Sequence, residues 1–521
     1  MSDENKTRLL TDVQGQPLTA QSGFNRRKFL QVSGAAAGLV LAPAFLRSAR
    51  GDSLNINSEI FSLGVASGDP DSHSLVLWTR LAPDPLHGGG IDKDRVGVRW
   101  EVAEDIGMTR IIRQGATLAT RSNGHAVRVM VGGLPSNRWL YYRFHALGES
   151  SRVGRTRTFP VLGELVDNLR FAVVSCQNYT DGFFPAYRDI LTQELDFVVH
   201  TGDYIYENGP VAVPIAPNRN HNSAEIFSVN DYRNRYALYR LDRNLQEAHA
   251  QLPFLVTWDD HEVDNDYAGF NAESSAPFQG EDFRIRRRNA YQVYSETMPL
   301  RLANTLRGAM ETMRLFRKLS FGHLADIYML DTRQFRSQQP ADGGFGSTSP
   351  TSAALEPVLG EVLFDDAGIN NAGATLAGRF QENWLRSNLQ RSSATWNVLA
   401  QQVMVMPWNL KNTARLVTAA ALQQQNAPAE QQAQILAAFD NIGDILNVDA
   451  WDGYPAARQR LFAIIRESGA RNPVVLTGDI HSAWGAELLS DFSDPQSQLI
   501  AAEFVCTSIA SDFAGLDPKA D

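Results

Sequence analysis

The chain of 521 residues has a formal net charge of −10, with 43% hydrophobic and 20% charged side chains. That balance belongs to a soluble globular protein long enough for two domains, and the negative charge excludes a protein that coats nucleic acid. The two cysteines, Cys176 and Cys506, are too few for a disulfide framework; they read as free thiols, with a disulfide as the weaker alternative.

Residues 1–24 are polar. Asn25-Arg26-Arg27-Lys28-Phe29-Leu30 then precedes an Ala/Gly-rich apolar run from Val32 to Ala42. This order is that of a twin-arginine export signal. The run is too short to span a bilayer. Ala42-Pro43-Ala44 offers a small-residue cleavage site, and a cut after Ala49 is the alternative. The expectation is a signal peptide over 1–44, with the twin-arginine translocase as a partner during export. The mature chain would then be periplasmic or extracellular, without a transmembrane anchor, and monomeric.

Across 54–162 short alternating runs are broken by turns: SLVLWTRL (74–81), VGVRWEVA (96–103), HAVRVMVGGL (125–134) and LYYRFHAL (140–147). This spacing predicts a small antiparallel β-sandwich. Gly-Leu-Pro-Ser-Asn (133–137) before a Tyr-rich strand resembles a fibronectin type III module. His73, His125 and His145 read as surface or packing residues.

Over 168–521 the period changes. Apolar strands at 169–175, 195–201, 252–258, 324–331, 396–402 and 473–479 alternate with longer helical patterns. This is an α/β layout with strands buried on both faces. Tyr232 to His249 and Phe283 to Met298 read as amphipathic, Arg-rich helices. Arg286-Arg287-Arg288 reads as a solvated helix face, with a phosphate-facing role as the minority alternative. Residues 340–378 read as a long loop and 411–440 as a Gln/Ala-rich helical insertion.

Chemistry in such a fold collects at the carboxyl ends of strands. There the sequence places Ser175-Cys176-Gln177-Asn178, Gly202-Asp203-Tyr204-Ile205-Tyr206, Asp259-Asp260-His261-Glu262 with Asp264-Asn265-Asp266, Asp331-Thr332-Arg333, and Gly478-Asp479-Ile480-His481. A single Asp at a strand end is ordinary turn or cap chemistry. Five ends mixing Cys, Asp, Tyr and His are not explained by capping, and their carboxylates would repel one another if unpaired. Cations remove that penalty. Thiolate, phenolate and imidazole suit a transition metal; phenolate with carboxylate suits ferric iron, and the surplus carboxylates suit calcium or magnesium. Two neighbouring metals are a recurrent arrangement for in-line displacement at phosphorus.

The blocks SCQNY, HTGDYIYE, WDDHEVDNDYAG, LDTRQFR, NVLAQQV and LTGDIHSAW resemble those of PhoD-type alkaline phosphatases. The resemblance extends to the twin-arginine signal and to SGDPDSHSLVLWTR (67–80), and runs to about Ser511. That family is distantly similar to purple acid phosphatases and other calcineurin-like metallophosphoesterases. It implies a four-layer α/β sandwich of two sheets with flanking helices, preceded by the fibronectin III-like β-sandwich. It also implies a phosphomono- and phosphodiesterase using Fe(3+) with Ca(2+).

Carried over by position, the resemblance implies that Cys176 stands where most metallophosphoesterases have a first metal-binding Asp. Asp203 matches the bridging carboxylate of GDxxY and Tyr206 its iron-binding phenolate. Asp260 replaces the Asn of the GNH(D/E) block, and His261 falls beside the phosphoryl group, able to protonate the leaving oxygen. Asp479 and His481 match the two His of GHxH, Asp479 replacing the first. Gln402 falls where a histidine ligand is usual. These departures harden the second metal site, in favour of calcium over zinc. Asn265 is implied as an outer ligand and Arg333 as a catalytic, phosphate-contacting residue. The family continues beyond EFVCTSIASDF (503–513), so a chain ending at Asp521 is either naturally short or a fragment.

Two competing functions use the same residues. A phospholipase D would act on a lipid diester with the same metals. A secreted binder would hold phosphate or metal without turnover, although it has no need of the mixed ligand set.

Overall fold

In a computed structural model the described residues are 59–273, 275–301, 312–340, 345–347, 369–409, 427–441 and 445–512, with isolated positions between 411 and 423. The predicted signal at 1–44 lies outside them, as do most of the predicted 340–378 loop and part of the 411–440 insertion.

The first strands are β1 (Val65–Gly68), β2 (Ser74–Arg80), β3 (Arg95–Ala103), β4 (Ile111–Thr120), β5 (Ala126–Gly132), β6 (Trp139–Ala146), β7 (Glu149–Ser150) and β8 (Gly154–Arg157). The α/β region follows with β9 (Phe171–Val174), β10 (Phe197–His200), β11 (Phe254–Val256), β12 (Arg317–Phe321), β13 (Ala325–Met329), β14 (Phe345–Ser347), β15 (Trp396–Ala400), β16 (Ile445–Asn447), β17 (Pro473–Thr477), β18 (Trp484–Leu489) and β19 (Leu499–Val505). The described helices are α1 (Pro185–Ile190), α2 (Val229–Arg240), α3 (Arg243–Gln251), α4 (Gly280–Thr297), α5 (Arg379–Leu389), α6 (Ala429–Ala438) and α7 (Pro455–Ser468). Helix α6 lies in the predicted insertion.

Two six-stranded sheets carry the α/β region, in the orders β5-β2-β1-β11-β10-β9 and β12-β13-β15-β17-β19-β18. Strands β9, β10 and β11 are mutually parallel, as are β13, β15, β17 and β19. Strand alternation divides the side chains between two cores. Phe197 and Val199 of β10 pack with Leu255, Ile327, Met329, Val398 and Leu476 between the sheets. Val198 points the other way, into a cluster with Tyr187 of α1, Tyr236 of α2, Leu245 of α3 and Tyr291 of α4. On the second sheet Leu399 and Val475 meet Leu385 of α5 and Leu461 of α7. The layers are therefore helix, sheet, sheet, helix.

The N-terminal sandwich closes against the same framework. Its second sheet runs β4-β3-β6-β7, with β8 on β6. Val96, Val98, Leu140 and Tyr142 from that sheet pack on Leu75, Leu77 and Val131 of β2 and β5. Strand β1 pairs antiparallel with β2 and parallel with β11, so one sheet runs from the sandwich into the α/β region. Among the sandwich histidines, His73 Nδ1 meets the Leu134 carbonyl and His125 Nε2 the Lys93 carbonyl, both at hydrogen-bond distance, and His145 meets Glu101 and Ser150. These are packing roles. Both cysteines are free.

Two helix readings change. The stretch predicted as one helix from Tyr232 to His249 breaks at Leu241-Asp242, because Asp242 caps α3 by accepting from the Asn244 and Leu245 N–H groups. Arg286 and Arg287 do not form a solvated face: they are 0% and 1% exposed. Arg286 Nη1 lies 2.9 Å from Glu225 and 2.8 Å from Asp264, and the Arg287 guanidinium lies over the Phe270 and Tyr291 rings. Helical periodicity does not reveal acids arriving from distant loops. Arg286→Met should destabilise the fold by about 3 kcal/mol, because it leaves the Asp264 carboxylate buried without its cation. Denaturant unfolding measures this; a change within experimental error would contradict the buried ion pair. No described helix is long and apolar enough to cross a membrane.

Candidate metal centre

The parallel strands bring their carboxyl ends to one place. Cys176 follows β9, Asp203 follows β10, Asp259, Asp260 and His261 follow β11, Arg333 follows β13, and Asp479 and His481 follow β17. The backbone there is unusual. Cys176, Asp203, Asp479 and His481 all have positive φ, at 56°, 57°, 71° and 56°. For residues with a Cβ this costs on the order of 1–3 kcal/mol each and persists only where the surroundings enforce it. Gly202 precedes Asp203 with φ 127°, and a Cβ there would lie 2.4 Å from Asp259 Cβ. Only glycine lets the β10 and β11 ends approach so closely.

Three overlapping sets of ligand atoms result, each with its members within 4.8 Å of one another: Cys176, Asp203 and His481; Asp203, Asp260 and His261; and Asp259, Asp260 and Asp479. Asp203 joins the first two sets and Asp260 the last two. Tyr206 completes the first, its hydroxyl 3.2 Å from Asp203 Oδ2 and 3.1 Å from His481 Nε2. Asp203 Oδ1 and Asp260 Oδ1 are buried and accept no hydrogen bond, the Arg333 guanidinium lying 3.5 Å from the latter. A buried carboxylate oxygen without a donor is costly, so these atoms are where cations fit. The first set offers sulfur, oxygen and nitrogen, and the third offers carboxylates alone.

Electrostatics agree. Burial raises the Asp203 carboxyl well above its usual range; the His261 charge opposes this, and repulsion from Asp260 and Asp259 adds to it. Burial, with Asp259 and Asp449 close by, likewise raises Asp479. Burial pushes Asp259 up to about 7 against the pull of Arg333. Burial lowers the affinity of His261 for a proton, but Glu207, Asp260 and Asp203 outweigh it, and the imidazole is held well above its ordinary value. His261 Nδ1 lies 2.8 Å from Glu207 Oε2, its ring stacks on Tyr206 at 4.1 Å, and its side chain keeps 15% exposure.

Residues 171–520 match the family described as PhoD-like phosphatase, and residues 47–160 match its N-terminal domain. Alkaline phosphatase D of Bacillus subtilis (strain 168) is 42% identical over 504 residues, covering 96% of this chain and 78% of that protein. A solved structure titled "Structure of PhoD" aligns with TM-score 0.74 and 43% identity, covering 88% of this chain and 78% of that one. The chain belongs to the PhoD-like phosphatase family. It has that family's four-layer α/β architecture with an N-terminal β-sandwich, and it is a phosphoric ester hydrolase.

In this PhoD-like phosphatase the strand-end residues Cys176, Asp203, Tyr206, Asp260, His261, Asp479 and His481 converge. Three other residues named from the sequence are held by the framework around the centre. Arg333 is fully buried: Nε meets Asp259, Nη1 lies 2.6 Å from Asp449, and Nη2 lies 3.5 Å from both Asp260 and Asp479. It faces carboxylates rather than an accessible surface. Asn265 gives its side-chain amide to Glu273 at 3.1 Å and its backbone N–H to Glu207. Gln402 is committed to the framework, its Nε2 donating to the Trp258 and Leu330 carbonyls and its Oε1 accepting from Thr332.

Sequence reasoning missed Glu207, which orients His261, and Asp449, which holds Arg333. It also gave Asp259 no role of its own, although the DDHE block contained the signal. Glu262 is a clamp: its carboxylate accepts the backbone N–H groups of Asp203, Tyr204 and Asp259 at 2.8–3.1 Å.

Proposed function

We propose that this chain is an exported, metal-dependent alkaline phosphatase that hydrolyses phosphate monoesters and diesters. Ferric iron would be held by Cys176, Asp203, Tyr206 and His481, and calcium by Asp259, Asp260 and Asp479, with Asn265 as an outer ligand. The observation that carries this reading is the chaining of the three ligand sets through Asp203 and Asp260, each of which has one buried carboxylate oxygen that accepts no hydrogen bond.

Bound cations supply Lewis-acid charge and a hydroxide nucleophile at neutral to alkaline pH. The protein supplies the rest. Asp203 sits between two of the ligand sets. His261 has its Nδ1 engaged by Glu207, and its Nε2 is the atom that would donate to an equatorial phosphoryl oxygen and then protonate the leaving oxygen. Arg333 fixes the carboxylates from behind.

The test is hydrolysis by one iron- and calcium-loaded preparation of a chromogenic phosphate monoester, its diester and phosphatidylcholine, with a chelator control. Chelator-sensitive release from the monoester and diester is expected. Dominant choline release would replace this reading with phospholipase D, and no turnover despite bound iron would replace it with a binding protein.

The export part rests on Arg26-Arg27 before the apolar run. Replacing both with Lys keeps the charge and removes the motif. The expected outcome is retention of the precursor in the cytoplasm, read by cell fractionation. Undiminished export of the double variant would contradict a twin-arginine route.

A further inference from the structure

The block CTSIASD (506–512) has no role in the scheme so far, yet it crosses the first ligand set. Past β19, Ile509 N–H donates to the Ser175 carbonyl at 3.0 Å and Ala510 N–H to the Cys176 carbonyl at 3.2 Å. Ser508 Oγ donates to the Ser511 carbonyl at 2.7 Å and so closes a tight turn. The turn places Ser511 Oγ 3.0 Å from the Tyr206 hydroxyl, where it also accepts the Asn178 N–H at 3.2 Å. One residue on, the Asp512 carbonyl accepts from His481 Nδ1 at 2.5 Å, which leaves Nε2 facing Tyr206. The strap thus touches Cys176, Tyr206 and His481 together.

We propose that Ser511 is a positioning residue for the metal centre, its hydroxyl donating to the Tyr206 oxygen and fixing that oxygen beside Asp203 and His481. This rests on the reading of Tyr206 as an iron ligand. Ser511 has one proton and two acceptors within reach, the Tyr206 oxygen at 3.0 Å and the Cys176 carbonyl at 3.1 Å. The carbonyl already accepts Ala510 N–H. A tyrosine oxygen that ligates a cation carries no proton of its own, and a hydrogen bond to a charged oxygen is the stronger kind. The Ser511 proton therefore goes to Tyr206. His481, oriented by the Asp512 carbonyl, presents its Nε2 lone pair on the other side of the Tyr206 oxygen.

The test is visible absorption of the iron-loaded protein, where a phenolate bound to ferric iron gives a charge-transfer band. In Ser511→Ala the Tyr206 oxygen loses a donor and becomes more electron-rich, so the band moves to longer wavelength at equal iron content. Ser511→Thr keeps the hydroxyl and leaves the band in place. If Ser511→Ala binds no iron while Ser511→Thr does, the positioning role is also supported. A band that is unmoved in Ser511→Ala overturns the role of Ser511 while leaving Tyr206 as a ligand. An iron-loaded wild type without the band overturns the reading of Tyr206 and this inference with it.

Discussion

Asp203→Asn should abolish turnover and, at the same time, raise the stability of the metal-free protein. The first effect follows from position. Asp203 belongs to two of the ligand sets, and an amide offers one neutral oxygen where the carboxylate offers two charged ones. Loss of a shared ligand should remove several kcal/mol of transition-state stabilisation, a rate loss on the order of 10³-fold or more. The second effect follows from burial. The folded-state carboxyl of Asp203 is raised well above its ordinary value, first by burial and further by Asp260 and Asp259. Between the unfolded and folded values the native state keeps a proton that the unfolded state has lost, so stability falls as pH rises through that window. Asn carries no such penalty. Metal-free Asp203→Asn should therefore melt above metal-free wild type at alkaline pH, and the order should reverse once metals are added. Calorimetry with and without a chelator reads both. A metal-free variant less stable than metal-free wild type would contradict the electrostatic account, and near-normal turnover would contradict the bridging role.

Arg333→Met should unfold the centre rather than weaken phosphate binding. The guanidinium is 0% exposed and contacts Asp259, Asp449, Asp260 and Asp479. Removing a buried cation while leaving its partners costs about 3–5 kcal/mol. Arg333→Lys should recover little of this. A single ammonium does not span Asp259 and Asp449, which a guanidinium engages from two edges. Urea unfolding gives the loss for both variants. A stable Arg333→Met protein with raised KM and unchanged metal content would restore the substrate-contact reading.

The framework and the outline of the centre were legible in the sequence for one physical reason. Buried parallel strands read as continuous apolar runs, and the polar residue ending each run is the one delivered to the site. Cys176, Asp203, Asp260 and Asp479 were found in that way. Asp449 was not, because it sits 116 residues from Arg333, on the far side of the insertion, with no local pattern around it. Ser511 reaches Tyr206 across 305 residues by a turn whose hydrogen bonds are its own. Arg286 was read as solvated, and the burial of Arg333 was not foreseen, for a shared reason: the acids that surround an arginine are not beside it in the chain. In both cases those acids come from other segments, Asp259, Asp260, Asp479 and Asp449 around Arg333 and Glu225 and Asp264 around Arg286.

The most direct measurement is anomalous X-ray diffraction from crystals of the iron- and calcium-loaded protein, collected on both sides of the iron absorption edge. The account predicts an iron peak within ligand distance of Cys176 Sγ, Asp203, Tyr206 and His481, and a second ion without an iron edge among Asp259, Asp260 and Asp479. An iron peak away from Cys176 and Tyr206, or Asp203 bound to no ion, would contradict it.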